Sequence, residues 1–399
     1  MLAGRRIVLG VCGSIASYKA ADVASKLTQA GALVDVILTD AAQRFVTPLT
    51  FRALTQRPVY TDMYDPQSSL AEEHVELARA ADALVIAPAS ATTIARIAFG
   101  LADDMLALTA LATTAPIVVA PAMDGQMWEH PATRANVATL RGRGALIAGP
   151  EEGRLASGRL GAGRLIETAQ LLGAISQALG RGGPLAGRKI VVSAGGTQEA
   201  IDPVRFVGNR SSGKMGFALA EAARDMGADV VLVTGPVALA TPFGVRRCDV
   251  TTTAQMAAAL GAEKEHAAAL VMAAAPADFR PAEQAVHKIK RGEASLAVEL
   301  VPNEDIIAGL RGTFVKVGFA AETQDMHENA RTKVRRKGLD LIVANDVSAP
   351  GAGFATDTNL VTIMDAEGNT EELPLLSKYE VAVRILGRVG EMLRASREE

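Results

Sequence analysis

Short apolar segments alternate with alanine-rich segments along almost the entire chain. The apolar segments are rich in Val, Ile and Leu, which is typical of strands that are buried on both faces. The alanine-rich segments, such as residues 17–30 and 94–112, have the apolar spacing of amphipathic helices. This alternation predicts a parallel, doubly wound sheet with helices on both faces. The predicted strands are residues 6–11, 33–39, 83–89, 116–122 and 145–149, followed by 189–196, 229–235, 268–279, 314–323 and 339–346.

The alternation fades once, near the middle of the chain. A predicted helix ends there in the sequence Gly-Arg-Gly-Gly-Pro, which stops helices and is common in connections between domains. We place the boundary near residue 183 because a second alternation starts directly after it. The sequence therefore predicts two α/β domains, residues 1–180 and 181–399, each a doubly wound, mainly parallel sheet with its own core.

Composition excludes several classes of function. With 49% hydrophobic residues, a formal net charge of −3 and no long basic face, the chain is neither a typical nucleic-acid binder nor a membrane-surface protein. No apolar run reaches the ~18 residues of a membrane span, and the apolar run at the N-terminus stops too early, at a glycine turn, for a signal peptide. Two distant cysteines build no disulfide framework, so we expect a reduced, cytoplasmic location.

Small residues follow several predicted strands of the first half. Gly13 and Ser14 follow the first strand and precede a helix, an arrangement that brings backbone N–H groups to a phosphate. A tight turn without a ligand has the same pattern, so both interpretations stay open. Thr39, Ser90 and Thr92 end or follow later strands, and residues 121–128 form another such loop. Because ligands bind at the carboxyl ends of parallel strands, these loops suit a flat aromatic cofactor with a phosphate tail.

Two further features of the first half have alternative interpretations. His74 precedes the 83–89 strand and is either a catalytic base or a solvated helix residue. Residues 151–165 are rich in glycine and carry Arg154, Arg159 and Arg164. They form either a flexible linker or an arginine-bearing lid over an anionic substrate.

The second half opens on a strand, a glycine turn at 195–197 and a helix that starts near residue 213. The loop between turn and helix is more polar than a plain connection requires. Its polar residues are Asp202, Arg205, Asn209, Arg210, Ser211, Ser212 and Lys214.

Specific motifs then identify a family resemblance that covers nearly the whole chain. GSIA, HVELA, APASATTIARIAFGLADDML, PAMDGQMW and LASGRLGAGRL resemble the flavin-dependent cysteine decarboxylases. Together with AGGTQEAIDPVRFVGNRSSGKMG, they resemble the bacterial fusion of phosphopantothenoylcysteine decarboxylase with phosphopantothenate–cysteine ligase, two steps of coenzyme A synthesis. The resemblance implies FMN in the first half and a catalytic role for His74. It implies FMN contacts at Gly13, Ser14, Thr39, Ser90 and Thr92.

The first half departs from the family pattern at two positions. Asp124 replaces an Asn that contacts the substrate carboxylate in the family, and Ser157 replaces a Cys that protonates the enethiolate. A hydroxyl is a much weaker acid than a thiol, whose pKa is about 8.5. We therefore hypothesise that burial raises the pKa of Asp124, so that the protonated carboxyl accepts the substrate carboxylate and supplies the missing proton. The alternative is a decarboxylase half that has lost its activity.

The resemblance implies a CTP-dependent ligase in the second half, with an acyl-cytidylate intermediate. Asn209 matches the residue tied to the intermediate, and Lys288 matches the catalytic lysine. Asp278 suits Mg²⁺ or the ribose, and Phe319 suits stacking on cytosine. The remaining nucleotide contacts implied are Met272, Ala273, Ala274, Lys288, Asn303, Glu304, Asp305, Ile306, Lys333 and Lys337. From the residues alone, Lys288 could lie on a solvated strand face, Asp278 could be a helix or turn cap, and Lys333 and Lys337 could lie on an exposed helix.

The sequence thus predicts a bifunctional enzyme that acts on 4′-phosphopantothenate, L-cysteine and CTP, with FMN and Mg²⁺ as cofactors. We expect a homo-oligomer that binds neither nucleic acid nor membrane. Three alternatives stay open: a ligase with an inactive flavin half, a decarboxylase of other peptidyl-cysteine substrates with an inactive ligase half, and a flavin-binding regulatory subunit. A regulator needs no nucleotide site, so Asn209, Lys288, Lys333 and Lys337 argue against it.

Overall fold

A computed structural model describes residues 1–64, 73–291, 295–322, 326–346, 353 and 356–398. The chain divides into two compact units, Met1–Gly180 and Arg181–Glu399. Among the described residues, no helix is both long enough and apolar enough to cross a membrane.

The first unit is built on one parallel sheet. Among its described residues, six strands pair in the order β3-β2-β1-β4-β5-β6. The strand order reverses between β1 and β4, and this switch point is where open α/β sheets bind ligands. The strands are β1 Arg6–Val11, β2 Leu33–Leu38, β3 Val59–Tyr60, β4 Ala83–Ala89, β5 Ile117–Pro121 and β6 Leu146–Ile147.

Helices connect these strands. They are α1 Ser17–Gln29, α2 Pro48–Thr55, α3 Glu73–Ala80, α4 Ala91–Phe99, α5 Met105–Ala112, α6 Gly125–Glu129, α7 Pro131–Gly142 and α8 Thr168–Gly180, with a 3-10 turn at Ala42–Arg44. The prediction of one helix over 94–112 is wrong, because two helices occupy this region. Gly100 ends α4 in the left-handed conformation (φ 72°), and Asp104 caps α5 by accepting the N–H of Ala107.

Residues 151–165 form an antiparallel hairpin, β7 Glu151–Arg154 and β8 Leu160–Arg164. The linker interpretation is therefore wrong for this segment. Gly163 fits at φ 150°, since a Cβ there would lie 2.2 Å from the Met123 carbonyl oxygen. Its own carbonyl accepts the Met123 N–H at 2.9 Å, so the base of the hairpin is fixed to the loop after β5.

The second unit has a larger sheet that is mainly parallel. Among the described residues, eight strands pair in the order β13-β12-β9-β14-β17-β18-β20-β21, and only the last two pairings are antiparallel. The prediction of two mainly parallel sheets is confirmed. The strands of this sheet are β9 Lys189–Ala194, β12 Asp229–Thr234, β13 Arg246–Asp249, β14 Ala267–Met272, β17 Val315–Glu322, β18 Leu341–Asp346, β20 Val361–Asp365 and β21 Thr370–Glu372.

Short antiparallel pairs interrupt the alternation of this unit. They are β10 Gln198–Ala200 with β11 Phe206–Gly208, β15 Phe279–Pro281 with β16 Leu300–Pro302, and β19 Thr358–Asn359 with β22 Leu376–Ser377. The prediction of one strand over 268–279 is wrong, because β14 ends at Met272 and residues 273–278 form a loop. Pro276 lies in this loop and has no N–H to donate to a neighbouring strand.

Helices cover both faces of the second sheet, and they are α9 Lys214–Asp225, α10 Thr253–Glu263, α11 Ile306–Gly309, α12 Met326–Lys337 and α13 Lys378–Glu398. Successive strand residues point to opposite faces. Val192 therefore packs in a core with residues of α9 and α13, whereas its neighbour Val191 packs in a second core with residues of α10 and α11. The first unit has a separate core around Ile86, Leu106 and Trp128.

Candidate active sites

The first unit contains a cavity of about 640 Å³ at the carboxyl ends of β1, β4 and β5. Loops after these three strands line one side, and the hairpin β7–β8 lines the other. Five residues that the sequence assigned to the flavin site or to catalysis lie here: Gly13, Ser14, Ser90, Asp124 and Ser157.

The turn between β1 and α1 contributes Gly13, Ser14, Ile15 and Ala16 to the wall of this cavity. A Cβ at Gly13 would lie 2.4 Å from the Ala41 Cβ, so only glycine fits there without a shift. Ser14 accepts the N–H of Ala16 at 3.2 Å, and among the described residues no side chain caps the N-terminus of α1. A helix N-terminus beside small residues fits the phosphate of a flat cofactor, because the helix dipole favours negative charge there.

Ser90 caps the N-terminus of α4 at the opposite side of the switch point. Its hydroxyl oxygen accepts the Thr93 N–H at 3.2 Å. Thr93 is buried, whereas Thr92 on the same turn is exposed. Hydroxyl-rich strand ends are typical of α/β binding sites. Here the Ser90 hydroxyl oxygen accepts a hydrogen bond from a free N–H group at the start of α4.

Three predicted residues do not line the cavity in the described part of the unit. Thr92 is exposed on α4, and half-buried Thr39 binds back to its own turn by accepting the Ala42 N–H at 3.3 Å. His74 is the second residue of α3 and is half-buried. Their assigned roles remain proposals.

Asp124 and Ser157 meet directly at the cavity wall. The Ser157 hydroxyl donates to Asp124 Oδ2 at 2.8 Å, and the Gln126 N–H donates to Oδ1 at 3.0 Å. These hydrogen bonds, first that of Ser157 and then that of Gln126, lower the pKa of the Asp124 carboxyl. The predicted raised pKa is therefore wrong, because the side chain is a helix cap with donors on both oxygens rather than a desolvated acid.

Sequence reasoning missed polar Tyr18 and cationic Lys19. Both belong to the first turn of α1 and line the cavity. Their position one turn after the glycine motif was the available signal. Arg154 and Arg164, predicted as part of a lid, line the cavity from the hairpin. Glu167 pairs with Arg164 and lies 3.6 Å from the Lys19 ammonium. Three cationic side chains, Lys19, Arg154 and Arg164, therefore line the cavity together with the carboxylate of Asp124.

The second unit has a smaller cavity of about 210 Å³ between the loop after β14, the start of α11 and the helix α12. Residues that are far apart in sequence meet here. The predicted nucleotide contacts that line it are Met272, Ala274, Asp278, Asn303, Glu304, Asp305, Ile306, Phe319, Lys333 and Lys337.

Hydrogen bonds hold the polar wall of this cavity. Asn303 donates its side-chain N–H to the Ala277 carbonyl at 2.8 Å and its backbone N–H to the Asp278 carbonyl at 2.8 Å. Lys337 forms an ion pair with Asp305 at 3.0 Å.

Asn209, Lys288 and Ala273 are not among the described residues that line this cavity. Asn209 donates to the carbonyls of Ala275 at 3.3 Å and Pro276 at 2.9 Å, which places it beside the loop after β14. Lys288 is exposed in an irregular segment.

Within the described ranges, no group of three or more His, Cys, Asp or Glu side chains is arranged to hold a metal ion. Asp278 is exposed and lines the second cavity, as do Glu304 and Asp305. One carboxylate fits Mg²⁺ only where a substrate phosphate supplies other ligands, as Mg²⁺ commonly requires.

Comparison with known proteins covers the whole chain. The flavoprotein family matches residues 1–180, and the family described as DNA/pantothenate metabolism flavoprotein C-terminal domain matches residues 185–393. The chain is 44% identical to the coenzyme A biosynthesis bifunctional protein CoaBC of Bacillus subtilis, with 100% of both chains covered. It is also 44% identical to the protein of that name from Escherichia coli K12, over 97% of each chain.

Solved structures match each half separately. The C-terminal domain of a CoaBC protein is 39% identical over 53% of this chain and 98% of that chain, with a TM-score of 0.46. The FMN-dependent cysteine decarboxylase SpaF is 34% identical over 45% of this chain and 97% of that chain, with a TM-score of 0.39.

Proposed function

Because the chain belongs to the family of coenzyme A biosynthesis bifunctional proteins, we propose that it catalyses two consecutive steps of that synthesis. The second unit joins 4′-phosphopantothenate to L-cysteine with CTP. The first unit then decarboxylates 4′-phosphopantothenoylcysteine to 4′-phosphopantetheine. The observation that carries the proposal is the gathering of predicted residues from distant parts of the sequence into one cavity in each unit.

We propose FMN as the cofactor of the first unit, with its phosphate at Gly13, Ser14 and the N-terminus of α1. Bound FMN would supply a reversible two-electron oxidation of the thiol end of the substrate, so that the decarboxylation has no net redox change. Arg154, Arg164 and Lys19 attract the anionic substrate. His74 is retained as the proposed base, although it lies outside the described cavity wall.

Asp124 and Ser157 have a different role from the one first expected. An ionised carboxylate holds no proton to give, and a hydroxyl that donates to a carboxylate becomes a weaker acid. We propose that the pair fastens the tip of the hairpin β7–β8 to the loop after β5 at the cavity wall. The proton that completes the product comes from another group or from solvent.

In the second unit, an oxygen of the 4′-phosphopantothenate carboxylate attacks the α-phosphorus of CTP, and pyrophosphate leaves. The amine of cysteine then attacks the acyl carbon, and CMP leaves. Lys288, Lys333 and Lys337 are proposed to neutralise the triphosphate, and Asn209 to donate to the acyl oxygen as charge develops. Phe319 is half-buried in the cavity wall, where it suits stacking on cytosine. Asp278 would hold Mg²⁺ together with the phosphates.

The small-molecule substrates are consistent with a cytoplasmic enzyme, and we propose that location. We also propose a homo-oligomer, since exposed apolar side chains such as Phe99, Leu101 and Leu111 leave a surface suited to self-association.

The test is mass analysis of the products formed from 4′-phosphopantothenate, CTP, Mg²⁺ and cysteine by the purified full chain. We expect 4′-phosphopantetheine, CO₂, CMP and pyrophosphate. Accumulation of 4′-phosphopantothenoylcysteine would identify a ligase with an inactive flavin half. Absence of any turnover together with bound flavin would favour the regulatory alternative.

A further inference from the structure

The turn of the hairpin β10–β11 is built around a buried carboxylate. Asp202 is 2% exposed. Its Oδ1 accepts the backbone N–H groups of Val204 and Arg205, both at 2.8 Å, and its Oδ2 accepts the Arg205 Nε–H at 2.9 Å. The guanidinium of Arg205 is the main cause of a strongly lowered pKa for Asp202. The residue is therefore an ionised, fully paired carboxylate over the whole physiological pH range.

The same ion pair also holds a segment more than eighty residues further along the chain. The Ile289 N–H donates to Asp202 Oδ2 at 3.2 Å, and Arg205 Nη2 donates to the Ile289 carbonyl at 2.8 Å. The Ala285 N–H adds a bond to the Ile201 carbonyl at 2.9 Å. Both backbone polar groups of Ile289 are thus satisfied by side chains of the hairpin. We call Asp202, Arg205 and Ile289 the clasp.

The segment held by the clasp has little other support. Residues 282–291 form neither helix nor strand, and Val286, His287, Lys288 and Lys290 are exposed. A segment with few buried contacts opens easily, so the two charge-assisted bonds to Ile289 hold the part of it that carries Lys288. Lys288 directly precedes Ile289, and fixing both backbone groups of Ile289 fixes the Cα position of Lys288 to within one peptide unit.

The hairpin also supports the second candidate residue of the ligase. Its second strand, β11, leads straight into Asn209, which binds the carbonyls of Ala275 and Pro276. Gly196 and Gly208 allow this close packing, because a Cβ at Gly196 would lie 2.7 Å from the Asn209 carbonyl oxygen and one at Gly208 would lie 2.5 Å from that of Thr197. One hairpin therefore anchors the segments that carry both Asn209 and Lys288.

We propose that Asp202 is a positioning residue of the ligase: with Arg205, it holds the Ile289 backbone so that Lys288 is presented to the reacting phosphate. The inference rests on the proposed role of Lys288. The turn itself needs only the hydrogen bonds from the Val204 and Arg205 N–H groups to Oδ1. An asparagine at position 202 would accept both bonds without a buried charge. The buried carboxylate of Asp202 and its exposed partner Arg205 also make bonds outside the turn, and these bonds go to Ile289.

The test uses the full chain with Asp202→Asn, which keeps the turn acceptor but removes the charge. Trypsin cleaves after lysine and arginine, so the rate of cleavage after Lys288, Lys290 and Arg291 reports the order of the segment. We expect this rate to rise about tenfold or more, since local opening limits proteolysis of folded chains. We expect kcat for pyrophosphate release to fall about 100-fold, as small misplacements of catalytic groups do, while the KM for CTP changes by less than about threefold.

Two further variants keep the result decisive. Arg205→Lys keeps the charge but loses the forked guanidinium that reaches Ile289, so it should give the same pattern even if Asp202→Asn folds poorly. Glu263→Gln removes different ion pairs of the same unit, those with Arg246 and Lys189, and should leave both readouts unchanged.

The inference is overturned if both clasp variants are cleaved after 288–291 at the rate of the unaltered enzyme. It is also overturned if cleavage accelerates while kcat stays unchanged. No pyrophosphate release by the unaltered enzyme would contradict the proposed function instead, and the cleavage rates would still decide whether the clasp orders the segment.

Discussion

Asp124 determines the charge on one wall of the first cavity. Its two oxygens accept hydrogen bonds from Ser157 and Gln126, and the lowered pKa keeps the carboxylate ionised near neutral pH. The position thus combines a helix cap, a contact to the hairpin β7–β8 and a negative charge beside the site for an anionic substrate.

Asp124→Asn should therefore keep flavin binding and lower the KM for 4′-phosphopantothenoylcysteine. The amide can still meet both Gln126 and Ser157, while the repulsion of the substrate carboxylate disappears. Such a repulsion is about 1 kcal/mol in water at 4 Å and larger where water is excluded, so we expect up to about a tenfold change in KM. Steady-state CO₂ release measures it.

Asp124→Ala is the matched variant, because it also removes the cap and the hairpin contact. It should lower the free energy of unfolding, because the cap and the contact to the hairpin are both lost. If Asp124→Asn instead stalled with a reduced flavin and an enethiol product, Asp124 would be the proton donor after all.

Asn209→Ala and Lys288→Ala should each lower ligase turnover by about 100-fold, because donors at developing charge contribute on that scale. Pyrophosphate release and formation of the cysteine adduct are the measurements. Lys290→Ala is the control, since Lys290 is an exposed lysine in the same segment. An equal loss in Lys290→Ala and Lys288→Ala would show a general effect of positive charge in this segment rather than a specific role of Lys288.

At the scale of elements, the β1–α1 turn depends on close packing of backbone. Gly13→Ala would bring a Cβ to 2.4 Å from the Ala41 Cβ and 2.9 Å from its carbonyl carbon. We expect a loss of about 1–3 kcal/mol in unfolding free energy, together with loss of bound flavin absorbance. Gly142→Ala at the end of α7 has no atom within 4 Å of the new Cβ and should be neutral or stabilising by about 0.5–1 kcal/mol. Similar flavin content in both variants would contradict the proposal that the Gly13 turn binds the flavin phosphate.

Glu263 at the end of α10 forms ion pairs with residues of two strands of the second sheet, β9 and β13. Arg246 on β13 donates to both carboxylate oxygens, at 2.8 and 2.6 Å, and Lys189 on β9 lies 3.0 Å away. The Arg246 hydrogen bonds are the main reason that the pKa of Glu263 is lowered to about 2.

A carboxyl whose pKa is lower in the folded state stabilises the fold above its ordinary pKa, and this contribution is lost as pH falls toward the folded value. The difference in unfolding free energy between the unaltered chain and Glu263→Gln should be largest near neutral pH. It should shrink as pH falls from about 4.5, the ordinary value, to about 2. Urea unfolding at a series of pH values checks this, and a difference independent of pH would contradict it.

At the scale of the whole molecule, each compact unit has its own sheet and its own apolar core. Residues 1–180 and 181–399 should therefore fold when expressed separately. FMN should co-purify with the first fragment, and CTP-dependent release of pyrophosphate should remain with the second. Flavin absorbance, circular dichroism and limited proteolysis near residue 183 are the measurements. Insoluble fragments, or a full chain that never yields two stable products, would contradict this division.

The sequence by itself determined the features that depend on near neighbours in the chain. Strands such as 6–11 and 83–89 and the turns at Gly13 and Gly195 follow from local periodicity and backbone freedom, which act over a few residues. The helix break at Gly100 follows the same logic in hindsight, since glycine adopts the left-handed conformation easily. The family motifs identified the candidate residues of both units.

Only the tertiary structure determined the hydrogen-bond partners and the charged neighbours of those residues. Burial was expected to raise the pKa of Asp124, but its partner Ser157 is 33 residues away and lowers it. The Asp202 ion pair could not be linked to Ile289 from the sequence, because the two segments are 87 residues apart. Hydrogen bonds and charges act through space, whereas sequence patterns record only distances along the chain. Local sequence patterns therefore specified most of the strands and helices. The packing of these elements determined the ionisation of Asp124, the two cavities and the clasp.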